Sequence, residues 1–159
     1  MSAINTQSFE RAPSVLAGND RFGENGLLIW GLLPLAIKLS GKDTGGELMA
    51  FEHRGLNGGG PPKHVHFEQD EWFYVIAGEF SFEVGDELLR LKTGDTLFAP
   101  RMVPHAWSHV GGGSGTLLTT VSPVKGFEEF ILGTTKIAHV PEKEELEEIF
   151  ERYGMRIVS

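Results

Sequence analysis

Two histidines separated by one residue, His64 and His66, precede Glu71 in the stretch GGGPPKHVHFEQDEWFYVIAGEF, where Glu71 heads a strand-like apolar run. In an extended strand alternate side chains share a face, so the two imidazoles project the same way and can converge on one point. The same parity puts Glu71, Phe73 and Val75 on one face of the following run and Trp72, Tyr74 and Ile76 on the other. If the short FEQD link returns the chain, Glu71 comes to lie beside the histidines. Asp70 then has the wrong parity, and Glu71 is preferred to its acidic and amide neighbours Glu68, Gln69 and Asp70. His105, after TGDTLFAPRMVP, is a fourth candidate. Imidazole nitrogen and carboxylate oxygen suit Zn, Fe, Ni, Mn and Co alike, so the expected cofactor is one divalent transition-metal ion per chain of open identity.

Composition narrows the setting. There is no cysteine, which removes disulfides, thiolate ligands and a thiol nucleophile together. The net charge of -8 repels phosphate backbones and anionic lipid surfaces, so neither nucleic acid nor membrane is an expected partner. The opening MSAINTQSFERAPS lacks the basic-then-apolar layout of a secretory signal, and a cytoplasmic protein is expected. The longest apolar run, Leu27 to Leu39, falls short of the ~20 residues that span a bilayer and contains Pro34 and Lys38. It reads as strands buried on both faces, with part of that burial shared with a second copy in a homodimer.

These side chains need a scaffold of strands. At 159 residues the chain fits one domain with one core. Residues 1–25 read as an irregular arm. Over 26–125 short strand-like runs recur between turn signals such as GKDTGG, AGE, VGDE, KTGD and VGGGSG, which predicts an all-β antiparallel sandwich or barrel. Residues 126–159 read as a helical extension packed on that barrel. In PEKEELEEIFERYG, Leu146, Ile149, Phe150 and Tyr153 share one helix face, with Pro141 suited to the first turn and Gly154 to the C-terminal cap. Phe127, Phe130 and Ile131 suggest a further turn or two of helix.

The spacing carries more than the HxH pair. Gly58, His64, His66, Glu71 and Gly78 fit G(x)5HxH(x)3-4E(x)6G, and Gly94, Pro100 and His105 fit most of G(x)5PxG(x)2H(x)3N. These are the two motifs of the cupin family, which the chain resembles over nearly its whole length. The flanking stretches, DTGGELMAFE before and SPVKGFEEF and ERYG after, also resemble small bacterial cupins often described as similar to quercetin dioxygenase. Met102 stands where that family usually has glycine, and His109 where it usually has asparagine. The resemblance implies a small jelly-roll-like barrel with a C-terminal helix, and a metal held inside it by His64, His66, Glu71 and His105.

Around that centre His105, Trp107 and His109 alternate on one strand and can all face inward. His109 reads either as a group that supports a ligand or shuttles protons, or as a buried histidine that merely satisfies a hydrogen bond. Glu71 and His109 are the candidate catalytic residues. Phe73, Val75, Phe82, Phe98 and Trp107 are candidates for the apolar wall of a substrate pocket, core packing being the competing role for most of them. His53 and His139 read as surface or structural histidines. The leading functional expectation is a metal-dependent dioxygenase acting on a small aromatic or enolic molecule, with Glu71 as metal ligand or base. A metal-polarised isomerase or lyase on a sugar or keto acid is the second reading. A non-catalytic, metal-dependent small-molecule binding or sensing module is the third.

Overall fold

Two antiparallel sheets facing each other carry the site, as seen in a computed structural model that describes residues 13–23 and 25–159. The first 12 residues of the expected arm, and Glu24, lie outside the described residues. One sheet has the order β1 (Leu27–Ile29), β2 (Leu33–Leu39), β3 (Met49–Leu56), β10 (Gly115–Ser122), β5 (Asp70–Ala77), β8 (Thr96–Ala99). The other has the order β11 (Met155–Ile157), β4 (His64–His66), β9 (His105–Val110), β6 (Glu79–Val84), β7 (Glu87–Lys92). Neighbours distant in sequence, such as β3 with β10, β10 with β5 and β4 with β9, are what fold a jelly-roll-like barrel, because the chain crosses repeatedly between the two sheets.

Period-2 alternation decides what the barrel encloses. Along β5, Phe73 and Val75 are buried while Trp72, Tyr74 and Ile76 are exposed on the outer face. Phe73, Phe80, Phe82, Trp107 and Leu117 fill one end of the barrel. The other end is closed by Ile37, Met49 and Phe51 of the first sheet against α1 (Phe127–Thr134) and α2 (Lys143–Arg152). Each fully buried large apolar side chain contributes roughly 1.5–3 kcal/mol, so the helices are held chiefly by Phe127, Phe130, Ile149 and Phe150. A buried carboxylate reinforces the joint: Glu128 accepts hydrogen bonds from the Ser40 hydroxyl and the Gly41 amide, both at 2.7 Å.

Several expectations need correction. Pro141 does not enter α2, because Glu142 is the extended residue that precedes the first helical position, and Lys143 follows it. After Gly154, at φ 74°, the chain does not simply end the helix but adds β11, which pairs with β4. The run Leu27–Leu39 folds as the β1–β2 hairpin; Leu35 and Ile37 are buried, whereas Leu28 and Leu32 near the turn are exposed. Phe98 belongs to the outside, 57 % exposed and opposite Trp72, because Leu97 and Ala99 take the inward positions of β8. No described helix is long and apolar enough to cross a membrane.

Met102 occupies the left-handed region at φ 66°, where glycine is the unstrained residue, and its side chain is exposed. Its amide donates to the His66 carbonyl at 2.8 Å, so the turn is tied to the ligand strand in spite of the strain. The Asp70–Arg101 pair, at 2.8 Å, braces the same turn from outside. Met102→Gly relieves ~1–2 kcal/mol of steric cost and returns part of it as unfolded-state entropy. A net gain of about 0.5 kcal/mol, read as a small rise in Tm with unchanged metal content, is the expected result.

Candidate metal centre

The three residues of β4 supply two of the donors because that strand is clamped on both sides. Met155 pairs with His66 and Ile157 with His64 from β11, while His105 of β9 stands opposite His64. Glu71 arrives from the facing sheet as the first inward residue of β5. The FEQD link therefore crosses the barrel instead of turning back beside β4. His64, His66, Glu71 and His105 are 6 %, 1 %, 5 % and 2 % exposed, and their donor atoms lie within 4.8 Å of one another.

The hydrogen bonds around the rings decide which nitrogens are free. Nδ1 of His64 donates to the Pro62 carbonyl at 2.7 Å, that of His66 to Gln69 Oε1 at 3.3 Å, and that of His105 to the Val103 carbonyl at 3.2 Å. Each Nε2 is thereby left to point at the shared centre, the arrangement usual for ligating histidines. Nε2 of His64 lies 3.1 Å from Nε2 of His66, two acceptors facing each other, which favours a cation between them. Glu71 Oε2 lies 2.6 Å from His105 Nε2 and 3.5 Å from His66 Nε2. Donors about 2.0–2.2 Å from one ion at right angles stand about 3 Å apart, so these separations fit a single transition-metal ion. Gln69, 1 % exposed, was passed over as a neighbour of the ligand; its role is to orient His66 while its amide reaches the Val124 carbonyl at 3.5 Å.

Electrostatics prepare the same centre. Burial, together with the charges of His105 and His66, pushes His64 down to about 3, and burial likewise lowers His66. For Glu71 burial alone would favour the neutral acid, but the nearby imidazoles and the His105 hydrogen bond win and hold it at about 2. Burial opposes protonation of His105 too, yet the Glu71 carboxylate outweighs it and raises that ring. The result is an anionic Glu71, two neutral imidazoles, and one ring whose proton an arriving cation must displace.

A cavity of about 60 Å³ opens beside the cluster, lined by His64, Glu71, His53, Trp107, Thr119 and Trp30, with aromatic residues of α1 and α2 closing it. Of the residues expected in the wall, Trp107 is there; Phe73, Val75 and Phe82 are packed in the core at the other end, and Phe98 is outside. His109 stands apart from both cluster and cavity. Its ring packs edge-on to Phe80 at 5.4 Å beneath Gly115, where a Cβ would come within 2.3 Å of it, and neither ring nitrogen has a partner among the described residues.

His53 was read as surface or structural; it is 4 % exposed and part of the cavity wall. Its position on β3, alternating with Phe51 and opposite Leu117, was the signal available: it shares the inward parity of Met49 and Phe51. Burial pushes its pKa to about 4. The unfolded chain therefore takes up this proton first, near pH 6.5, so the contribution is present above that value and lost as pH falls towards 4. Urea unfolding at pH 7 and pH 5 should show a loss from this group of about 2 kcal/mol that His53→Gln diminishes. His139 is exposed and pairs with Glu145 at 3.0 Å, away from the site.

Residues 56–121 match the family described as Cupin domain. An RmlC-like cupin from Shewanella frigidimarina is 24% identical, with 74% of this chain and 99% of that one covered and a TM-score of 0.57. KdgF from a Halomonas species is 25% identical over 57% of this chain and 78% of its own, with a TM-score of 0.51. An uncharacterized protein of Methanocaldococcus jannaschii is 29% identical over 48 residues, 30% of this chain and only 38% of that relative. The matched segment begins at Leu56, contains both motifs and all four clustered side chains, and folds here as part of a barrel like that of the two solved structures: over residues 56–121 the chain is similar to a Cupin domain.

Proposed function

We propose that the protein is a metal-dependent dioxygenase for a small enolic or aromatic molecule. The observation that carries this reading is a buried three-histidine, one-glutamate cluster opening onto an aromatic-walled cavity. Four protein donors leave room on an ion that prefers six, and a redox-active divalent ion held there would supply electron exchange between an electron-rich substrate and dioxygen. This chain's own residues do the rest. Glu71 stands beside the ion as its anionic donor and as the carboxylate nearest to a substrate hydroxyl, and Trp107 and the helix aromatics exclude water.

Cavity size narrows the substrate. The space is about 60 Å³, well below the ~150 Å³ that holds one benzene in an engineered apolar cavity, so it takes one end of a substrate, the enol end of a diketone or the edge of a ring, and does not enclose a fused flavonol. The polar groups in the wall are few, which weighs against a sugar. Oxygen uptake by protein loaded with Fe, Mn, Ni or Co, offered diketones, catechols and flavonols in turn, tests the reading. Uptake with a diketone or catechol supports it; no uptake from any loaded form, or turnover that persists without oxygen, overturns it.

The chain is further inferred to pair with a second copy. Support comes from Leu28 and Leu32 near the β1–β2 turn and from the exposed row Trp72, Tyr74, Ile76 and Phe98 beside the β8 edge, apolar surface that association would cover. Light scattering at micromolar concentration should give twice 17.5 kDa, and a 17.5 kDa species alone would count against it.

A further inference from the structure

Three polar side chains in the cavity wall have no role in holding the ion. Nδ1 of His53 donates to the Pro34 carbonyl at 2.7 Å, which leaves Nε2 as a lone-pair acceptor. The ring is fixed between Phe51, edge-on at 5.6 Å, and Trp107 at 5.0 Å, so the acceptor is held in one orientation. The Thr119 hydroxyl and the Trp30 indole N–H line the same cavity, and both are buried without a hydrogen-bond partner among the described residues. Trp30 also sits in the left-handed region at φ 51°, an uncommon conformation for a bulky residue, and its amide is tied to the Thr134 carbonyl at 3.2 Å. Buried polar groups are nearly always partnered, and each one left alone costs roughly 1–3 kcal/mol, so such groups around a single cavity point to a ligand that completes them.

We propose that His53, Thr119 and Trp30 form the recognition end of this cavity, with His53 Nε2 accepting a hydrogen bond from a substrate hydroxyl while Thr119 and the Trp30 N–H serve a neighbouring oxygen. The class so defined is a small molecule with an enol or other hydroxyl beside a carbonyl. The assignment rests on the reading of the cavity as the substrate site next to the ion. Because burial keeps His53 neutral down to about pH 4, Nε2 remains an acceptor at ordinary pH while Nδ1 keeps its proton on the Pro34 carbonyl.

Zinc-loaded protein, which binds without oxidising, is titrated calorimetrically with acetylacetone and with its doubly C-methylated analogue, which has both carbonyls but cannot enolise. The parent should prefer acetylacetone by about tenfold, the worth of one good hydrogen bond. His53→Phe should abolish that preference with zinc content unchanged, and His53→Gln, which restores an acceptor, should recover part of it. Thr119→Val, close in shape, should weaken acetylacetone a few fold and serves, with His53→Gln, where the phenylalanine variant does not fold. A preference unchanged in the His53 variants and in Thr119→Val overturns this assignment while leaving the cavity reading intact. A parent that carries zinc yet binds neither compound overturns both.

Discussion

His105→Ala is expected to lower metal content from about one ion per chain to near zero, while His109→Asn leaves it at the parent level. The two residues share the inward face of β9, so burial alone does not separate them. Position does. His105 Nε2 is 2.6 Å from Glu71 Oε2 and faces the rings of His64 and His66, with centroids 4.7 and 5.5 Å away, whereas His109 lies four residues on, roughly 13 Å at strand rise. Removing His105 costs a donor and also strips the buried Glu71 carboxylate of its shortest hydrogen bond, a loss of ~3–5 kcal/mol for a buried charge in the absence of metal. His109→Asn forfeits no hydrogen bond, because neither ring nitrogen makes one, and costs only the packing against Phe80. Metal stoichiometry of both purified variants is the measurement. A His109→Asn protein without metal beside a His105→Ala protein that keeps it would refute the ligand assignment.

The part of this centre legible in the sequence is the part set by period-2 parity. His64 and His66 share a face, Glu71 shares one with Phe73 and Val75, and the spacing to His105 completes the set; strand alternation transmits directly from residue order to burial. The parts that were not legible depend on long-range pairing. Nothing local in FEQD distinguishes a hairpin turn from a crossing between sheets, and nothing in MRI announces a strand that clamps β4. The inward place of His53 follows from its parity with Met49 and Phe51, but its role as a held acceptor does not: only β2 beside it and β9 in the facing sheet supply Pro34 and Trp107. Phe98 erred in the opposite sense, since aromatic identity suggested an interior place that the parity of β8 denies.

Chelation should lower Tm by about 10 °C at pH 8 and by much less at pH 5. An ion that binds only the folded chain stabilises it by about 4 kcal/mol at ~1,000 times its dissociation constant. For a domain of this length each kcal/mol moves Tm by about 2–4 °C, hence the figure at high pH. The pH dependence follows from what the metal-free pair does. His105 is raised by Glu71, so its contribution to the metal-free fold is fully present below about 6.5 and is lost as pH rises through its folded-state value. Glu71 is depressed to about 2, so its contribution is present above about 4.5 and is lost only as pH falls towards 2. Between these limits the ionic pair stabilises the metal-free protein, and an ion must displace the His105 proton before it can coordinate. Metal occupancy should accordingly decline as pH falls through the raised value of His105, and the gap between loaded and chelated protein should widen as pH rises. Thermal unfolding of both forms across pH 5 to 8, with metal content measured beforehand, is the check. An unchanged Tm on chelation at pH 8, in protein shown to carry one ion per chain, would contradict coordination by this cluster, because an ion held by four buried donors of the folded chain, within 4.8 Å of one another, must stabilise that chain by mass action.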